Sequence, residues 1–443
     1  MSRGVLAAID IGTSKVCSVV ADVEEEGSLH VVAVGNAVSH GMLKGVITSP
    51  EEVTSAIRKS LDYVEQVSEI KIDSVFVSIS GKHINSFNNR VVVDINHDDH
   101  VVAEQHLVRG IKSTRDVSLS EDKMIVHDIT RGYSLDGQWG IKDPIGMYGY
   151  KLGVEAHIVT VGTSFLQNTI NCVRKANVNV EDIVINSVAS SEAVLSQEEK
   201  HRGVILADIG DGTTDIAVWD GGSICYSAVL PVGGRSITRD LAVGLEITSE
   251  DAERLKKEYG NVAPGATVKS GLISLELGTR RVISNVDIYH IIRARAEEIL
   301  RMIALDWYGV EQELRCATSL VLCGGTANLH GIRELAEEVF NCPVRIGSPG
   351  VGGAFADMDD PSYATVAGLV IWGANKGSSS VASITNTIGA VDNVDNGDNG
   401  AISDTSVVKD IPAHSGSLWS RLWDARPRIK IGIIKEGNHT NLE

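Results

Sequence analysis

The chain has 443 residues, 43% of them hydrophobic and 22% charged, with a formal net charge of −18. That length suits two to four domains with sizeable cores. The acidic surplus excludes nucleic acid as a main partner, since nothing basic replaces the phosphate counterions, and it keeps the body of the protein off anionic lipid.

Val5 to Ile9 is an apolar run that ends in Asp10-Ile11-Gly12-Thr13-Ser14-Lys15 and resumes at Val16 to Val20. This predicts strand, tight turn, strand, with no signal peptide expected before it. Ser49-Pro50-Glu51-Glu52 starts a helix with a cap and a Pro in its first turn, carried on by Val53, Ile57, Leu61 and Val64. A strand at 72–79 follows. Residues 81–162 read as an insertion with alternation at 90–95, a polar helix near 101–113, a Gly-rich stretch from Ser134 to Gly153, and a strand at 155–161. A helix at 164–176 and a strand at 182–186 close the first domain.

The opening pattern then returns 198 positions on (208 − 10). Gly203 to Ala207 leads into Asp208-Ile209-Gly210-Asp211-Gly212-Thr213-Thr214-Asp215, followed by Ile216 to Trp219. Residues 236–300 are mostly helical by period, with Ser249 as a cap, and a long helix spans about 286–307. Ser319 to Cys323 is a buried strand ending in Gly324-Gly325-Thr326, after which a helix starts. From 376 to about 415 Ser, Asn, Asp, Gly and Thr dominate, which predicts a flexible linker of charge about −3. No run of 18 apolar residues is present to span a membrane. Six cysteines (17, 172, 225, 316, 323, 342) make no C-x-x-C or zinc spacing and are expected to be reduced core thiols of a cytosolic protein.

Two such hairpins facing each other make a phosphate clamp. Gly12, Gly210 and Gly212 let backbone amides approach the ligand, and Thr13, Ser14, Thr213 and Thr214 add hydroxyls. Lys15 is a point charge for a phosphate. Asp10 and Asp208 are placed to hold Mg²⁺ through water, because Mg²⁺ keeps much of its hydration shell. A flat base and ribose can lie against Gly324-Gly325, with Thr326 and Asn328 following. Glu253 and Lys256, at i and i+3 on one helix face, can pair with each other or reach a ribose and base. The bland alternative, a pair of ordinary Asp/Gly turns, suits one copy better than two in matching strand contexts.

Beyond the linker, Leu418, Trp419, Leu422 and Trp423 fall in an arc of about 140° on a helical wheel. Residues 416–435 carry a net charge of about +4. This is the pattern of a helix lying in a membrane interface, the alternative being a helix that docks on its own protein or on a partner.

The order hairpin, hairpin, Glu-x-x-Lys helix, Gly-Gly resembles the actin-like ATPase superfamily over residues 1–372. Within it the chain resembles the FtsA family of bacterial cell-division proteins. The residues that carry this are Gly41-Met42-Leu43-Lys44-Gly45-Val46-Ile47, Ser80-Gly81-Lys82-His83-Ile84, Gly137 to Met147 and Ser190-Ser191-Glu192-Ala193-Val194-Leu195. The resemblance implies an α/β, actin-like (ribonuclease-H-like) two-domain fold with an inserted 1C (SHS2-type) subdomain. Subdomain 1A is then 1–80 and 163–202, and 1C is 81–162. Subdomain 2A is 203–235 and 301–375, and 2B is 236–300. A linker (376–415), an amphipathic membrane-targeting segment (416–430) and a tail (431–443) follow.

It further implies ATP and Mg²⁺ as ligands and at most a weak ATPase activity. The implied partners are other copies of the chain, the FtsZ C-terminal peptide, the membrane surface, and later divisome proteins through 1C. The implied place is the cytoplasmic face of the cell membrane at the division site. Arg281 and Arg295 match basic positions associated with the peptide site, unless they pair with nearby carboxylates such as Glu297 or Glu298. In the superfamily the second hairpin usually reads Asp-x-Gly-Gly-Gly-Thr, and here the middle Gly is Asp211. A carboxylate there would repel phosphate unless Mg²⁺ or solvent takes it, so affinity and hydrolysis are what Asp211 is expected to affect. Other readings are a PilM-like pilus-assembly scaffold and a small-molecule kinase of the sugar-kinase branch. The kinase reading lacks a clear carboxylate base.

Overall fold

Almost every residue from Ala7 to Ile11, from Val16 to Ala21 and from Val204 to Ile209 is buried, the mark of strands covered on both faces. The structure, a computed structural model, describes residues 2–24, 28–96, 99–265, 271–277, 279–309, 317–350 and 355–378. Strands β1 (Ser2–Ile11), β2 (Lys15–Glu24) and β3 (Leu29–Val38) form an antiparallel meander. The ribbon of β4 (Met42–Leu43) and β5 (Val46–Ile47) leads to α1 (Pro50–Ser68) and β6 (Ser74–Ile79). The insertion supplies β7 (Ile84–Asp94), α2 (Glu104–Thr114), β8 (Lys123–Leu135), β9 (Gln138–Ile141) and β10 (Lys151–Gly162). The chain returns through α3 (Thr163–Lys175), β11 (Asn179–Ile185), α4 (Asn186–Val194) and α5 (Gln197–Arg202).

The second half repeats the plan. It runs β12 (Val204–Ile209), β13 (Thr214–Asp220), β14 (Ser223–Leu230), α6 (Gly234–Leu245), α7 (Ser249–Tyr259), β15 (Leu272–Leu277), β16 (Thr279–Ser284) and α8 (Asn285–Gly309). It closes with β17 (Ser319–Cys323), α9 (Ile332–Phe340), β18 (Val344–Ile346) and α10 (Ala364–Ser378). The two main sheets have the same order, β3-β2-β1-β6-β11 and β14-β13-β12-β17-β18. In each, three strands form a meander and two more join parallel to the first. A parallel neighbour needs a crossover, and the helices on the sheet faces provide it. The repeat is in register to the residue. Asp10 lies opposite Cys17 and Asp208 opposite Asp215, both pairs 198 apart (208 − 10, 215 − 17).

On one face of the first sheet α1 buries Val53, Ala56, Ile57, Leu61 and Val64. On the other face lie α4 and α10, and here the core does not stop at the domain. One cluster joins Ala8, Cys17 and Phe76 of the first sheet, Val188 and Ala189 of α4, Val366 and Leu369 of α10, and Leu206, Ala217 and Val321 of the second sheet. The two halves share these helices, so their sheets hold fixed places about the cleft between the hairpins. The insertion has its own small core of Ile95, Val102, Leu135, Leu152 and Val154. It also reaches the second half: Ser86 Oγ donates to the Ser227 carbonyl (2.6 Å), and the buried His157 ring lies between Asn88 Oδ1 and Ser227 Oγ.

Several expectations are corrected. Residues 236–300 are mostly helical as expected, but they also hold a hairpin the period did not reveal, β15 with β16 at 272–284. Leu272 to Leu277 alternates with period two, a signal drowned by the helical periodicity on either side. The insertion holds the thirteen-residue β8, and its last strand begins at Lys151 rather than 155. Thr248, not Ser249, caps α7, its Oγ1 accepting the Asp251 N–H. Gly325–Asn328 is a 3-10 turn, and α9 starts only at Ile332. Helix α10 runs to Ser378, into the span read as linker. Cys17, Cys172, Cys225 and Cys323 are buried and form no disulfide, and Cys342 is half-buried. Cys316, the linker from 379 onward, and the segment with Leu418, Trp419, Leu422 and Trp423 lie outside the described residues.

Candidate functional site

Each hairpin turn is closed by its own backbone: Gly12 N donates to Lys15 O (3.0 Å) and Gly210 N to Thr213 O (2.9 Å). The strands deliver Asp10 and Asp208 to the same depth at the ends of β1 and β12. Both carboxylates are buried and held by hydroxyls. Ser78 Oγ donates to Asp10 (2.7 Å), while Ser190 Oγ of α4 and Thr365 Oγ1 of α10 donate to Asp208 (2.5 and 2.9 Å). Asp215 completes the group. Its Oδ2 accepts from Ser80 Oγ (2.8 Å), which crosses from the first half, and its Oδ1 is buried with no hydrogen-bond partner among the described residues.

Low-dielectric burial of three carboxylates raises all of them. Burial pushes Asp10 up to about 6, with the Ser78 bond pulling it down and Asp208 adding to the rise. Burial raises Asp208 too, against its two hydroxyl donors. Asp215 is raised well above the carboxylate range by burial and by Asp208. A carboxyl that ionises less readily in the folded chain stabilises the fold below its ordinary range, and that contribution is lost as pH rises from about 4 through 6. For Asp10 the full difference is about 3 kcal/mol. Without divalent cations, Asp10→Asn is therefore expected to exceed wild type in stability by about 2–3 kcal/mol at pH 7.5 and by less than about 1 kcal/mol at pH 4. Urea unfolding at the two pH values checks this, and a variant less stable at pH 7.5 contradicts it. A cation near the cluster acts in the opposite sense, favouring the ionised forms.

The two turns touch. A Cβ on Gly212 would lie 2.5 Å from Thr13 Oγ1, so the glycine makes room for the facing threonine. Ser80 Oγ also lies 3.1 Å from Thr213 Oγ1. The repulsive carboxylate expected at Asp211 has a partner that the sequence reading did not name: Arg235, in the first turn of α6, with Nε 2.7 Å from Asp211 Oδ2. The same guanidinium donates from Nη2 to the Thr13 carbonyl (3.2 Å). Lys15 donates to Ser362 Oγ (2.9 Å) and stands 4.1 Å from the centre of the Tyr363 ring. Ser14 is exposed. Thr214 differs from the other hydroxyls. It is fully buried and donates beneath the turn to the Val232 carbonyl (2.8 Å), so it does not line the cleft.

The remaining pieces converge on the second hairpin. Thr326 Oγ1 donates to the Gly210 carbonyl (2.9 Å). Asn328 donates to Asp360, whose Oδ1 also accepts the Ser362 N–H. Glu253 and Lys256 pair with each other (2.7 Å), and both touch Thr238 Oγ1 of α6. The two glycines of Gly324-Gly325 differ. Gly324 has φ +84°, and a Cβ there would lie 2.3 Å from Asp208 Oδ1; at Gly325 a Cβ meets only the Ser362 Cβ, at 3.7 Å. Gly324 is thus required by the fold, and Gly325 is the one that leaves open space. Away from the cleft, Arg295 is engaged by Asp240 and Glu298 (2.5 and 2.6 Å), and Arg281 lies on β16 opposite Leu275.

Asp215, Ser80, Ser190, Thr365, Arg235 and Ser362 were not among the candidates read from the sequence. Asp215 had a signal, because at offset 198 it replaces Cys17 and so breaks the repeat. The others sit far along the chain from the groups they touch and carry no motif.

These features define the class: an actin-like α/β protein, two related halves around a cleft walled by paired hairpins, with an SHS2 subdomain inserted in the first half. A family model described as the cell division protein FtsA matches residues 205–368, and one described as the SHS2 domain inserted in FtsA matches residues 81–160. The chain is 34% identical over 388 residues to the cell division protein FtsA of Pseudomonas aeruginosa, covering 86% of this chain and 92% of that protein. It belongs to the FtsA family of cell division proteins. Among solved structures the fold is shared with a PilM-PilN type IV pilus biogenesis complex (TM-score 0.57, 14% identity, 83% of this chain and 98% of that one). It is shared as well with MreB5 of Spiroplasma citri bound to ADP (TM-score 0.51, 14% identity, 84% and 96%).

Proposed function

We propose that this protein binds ATP with Mg²⁺ in the cleft between its two hairpins, self-assembles, and tethers the FtsZ ring to the cytoplasmic face of the cell membrane at the division site, recruiting later divisome proteins. The observation that carries the nucleotide part is the convergence of two glycine turns, three buried carboxylates and two lysines on one cleft. The residues fit the ligand chemically. Gly12, Gly210 and Gly212 keep the turns free of side chains, and Thr13 and Thr213 offer hydroxyls. Lys15 and Lys256 supply positive charge. Asp10 and Asp208, with Asp215 beside them, form a carboxyl cluster whose ionised forms a hydrated Mg²⁺ would favour. Because Mg²⁺ keeps much of its hydration shell, these carboxylates would hold it through water.

Glu253 and Lys256 face the cleft for a ribose and base, and Gly325 gives a flat wall beside them, with Thr326 and Asn328 next to it. The MreB5 structure of the same fold holds ADP, which supports an adenine nucleotide here. Saturable binding of a fluorescent ATP analogue in Mg²⁺, displaced by unlabelled ATP, is the expected result; no binding would overturn this reading.

Self-assembly and recruitment need exposed apolar surface. The insertion carries Trp139, Ile145, Met147, Tyr148 and Tyr150, all at least 41% exposed. Such concentration is uncommon on a surface that stays solvated. No described helix is long and apolar enough to cross a membrane. Attachment is assigned to the amphipathic segment at 416–430, behind the linker. The FtsZ peptide is assigned to subdomain 2B, with Arg281 and Arg295 as its candidate contacts. Because Arg295 already pairs with Asp240 and Glu298, an acidic peptide must compete for it. Arg281→Glu with Arg295→Glu is expected to weaken peptide binding at least about tenfold, and unchanged affinity removes both residues from the site.

A further inference from the structure

Arg235 is held across the mouth of the cleft by both hairpins at once. Its Nε pairs with Asp211 of the second turn at 2.7 Å, and its Nη2 donates to the Thr13 carbonyl of the first at 3.2 Å. Its backbone N–H donates to the Asp211 carbonyl (2.8 Å), so main chain and side chain bind the same residue. The side chain is nevertheless 47% exposed, while Asp211 is 16% exposed. Asp211 is thus the more buried of the two and serves as the anchor, with the guanidinium the part that faces outward. A guanidinium has five N–H donors in a planar fork, more than these two contacts use, and phosphate is among its best acceptors. A backbone carbonyl is a much weaker acceptor for it.

We propose that Arg235 is a phosphate-contacting residue of this cleft, that Asp211 positions it, and that the Thr13 contact is what Arg235 gives up when a polyphosphate binds. This rests on the nucleotide reading given above. It reverses the meaning of Asp211. The carboxylate that by itself would repel phosphate becomes the support of a guanidinium that attracts it, and the pair as a unit is neutral. Burial raises the Asp211 carboxyl on balance, and Arg235 first and Lys256 next pull it back toward the ionised form. An ionised Asp211 is the form that holds Arg235.

A double-mutant cycle tests this by its sign. Asp211→Asn, Arg235→Ala and the double variant are titrated with fluorescent ATP, ADP and AMP in Mg²⁺, and thermal melting checks that each folds. Arg235→Ala is expected to weaken ATP binding about tenfold or more and AMP binding much less. Asp211→Asn is expected to weaken ATP binding when Arg235 is present. In the Arg235→Ala background the same change is expected to strengthen it, because there only the repulsion is removed. Asp211→Glu should retain most of the wild-type affinity. Independent, additive effects would overturn the positioning role, and an Arg235→Ala variant that binds ATP as wild type does would overturn the contact. If wild type binds none of the three nucleotides, it is the nucleotide reading itself that fails.

Discussion

Gly368→Val is expected to unfold the protein under conditions where wild type is stable. Gly368 lies in α10 against α4, and a Cβ there would sit 1.7 Å from the Ala189 carbonyl oxygen and 2.3 Å from its carbon. Both atoms are helix backbone, so no rotamer change relieves the overlap. The helices must separate. Their contact is the layer that joins the two halves, through Val188, Ala189, Val366, Ala367, Leu369 and Val370, all buried in one cluster. Overpacking a core by one or two methylenes costs roughly 1–3 kcal/mol where side chains can shift. With backbone on both sides the loss is expected at about 4 kcal/mol or more, the range in which single changes become decisive for a marginally stable fold. Urea unfolding followed by circular dichroism measures it. Gly325→Ala is the matched control, since its Cβ meets nothing closer than 3.7 Å. That variant should melt as wild type does while placing a methyl group in the cleft. A Gly368→Val protein with an unchanged midpoint would contradict the close α4–α10 contact.

Trp419→Glu with Trp423→Glu is expected to abolish sedimentation with liposomes of anionic lipid. Each large apolar side chain is worth ~1.5–3 kcal/mol when fully buried, and less at an interface. Losing even ~1.5 kcal/mol at each of two positions lowers affinity on the order of a hundredfold. A short helix is marginal in water, so if the segment orders as a helix on the membrane, that ordering offsets part of the gain. One anchor is therefore weak. Many anchors on one polymer act together through effective concentration. Binding in ATP should accordingly exceed binding without nucleotide, and a polymerisation-defective variant should bind liposomes poorly. If that variant bound as tightly as wild type, attachment would not depend on assembly. If the double tryptophan variant still bound, the segment would not be the anchor.

Both hairpins were legible in the chain because their cause is local. A buried strand, a turn that needs glycine and a second buried strand write themselves into a dozen consecutive residues, and the repeat at offset 198 doubled the signal. The long helices α1 and α8 were legible for the same reason. The hairpin at 272–284 and strand β8 were not. Short strands pair with segments whose positions the period alone does not reveal, and helical neighbours mask a period of two.

The same division runs through the site. Local sequence by itself marked the residues proposed to carry the chemistry: Asp10 and Asp208 at strand ends, the glycines of the turns, Lys15, Glu253 with Lys256, and Gly324-Gly325. It also marked the amphipathic segment, whose character depends only on spacing along one helix. Only the tertiary structure decided what those groups meet. It set Arg235 against Asp211, turned the Thr214 hydroxyl to the Val232 carbonyl, tied Asp208 to α4 and α10 through Ser190 and Thr365, and gathered Asp215 with two other carboxylates. Contacts of this kind join positions as many as 347 residues apart, as between Lys15 and Ser362. They follow from where two sheets pack on shared helices, and no local propensity records them.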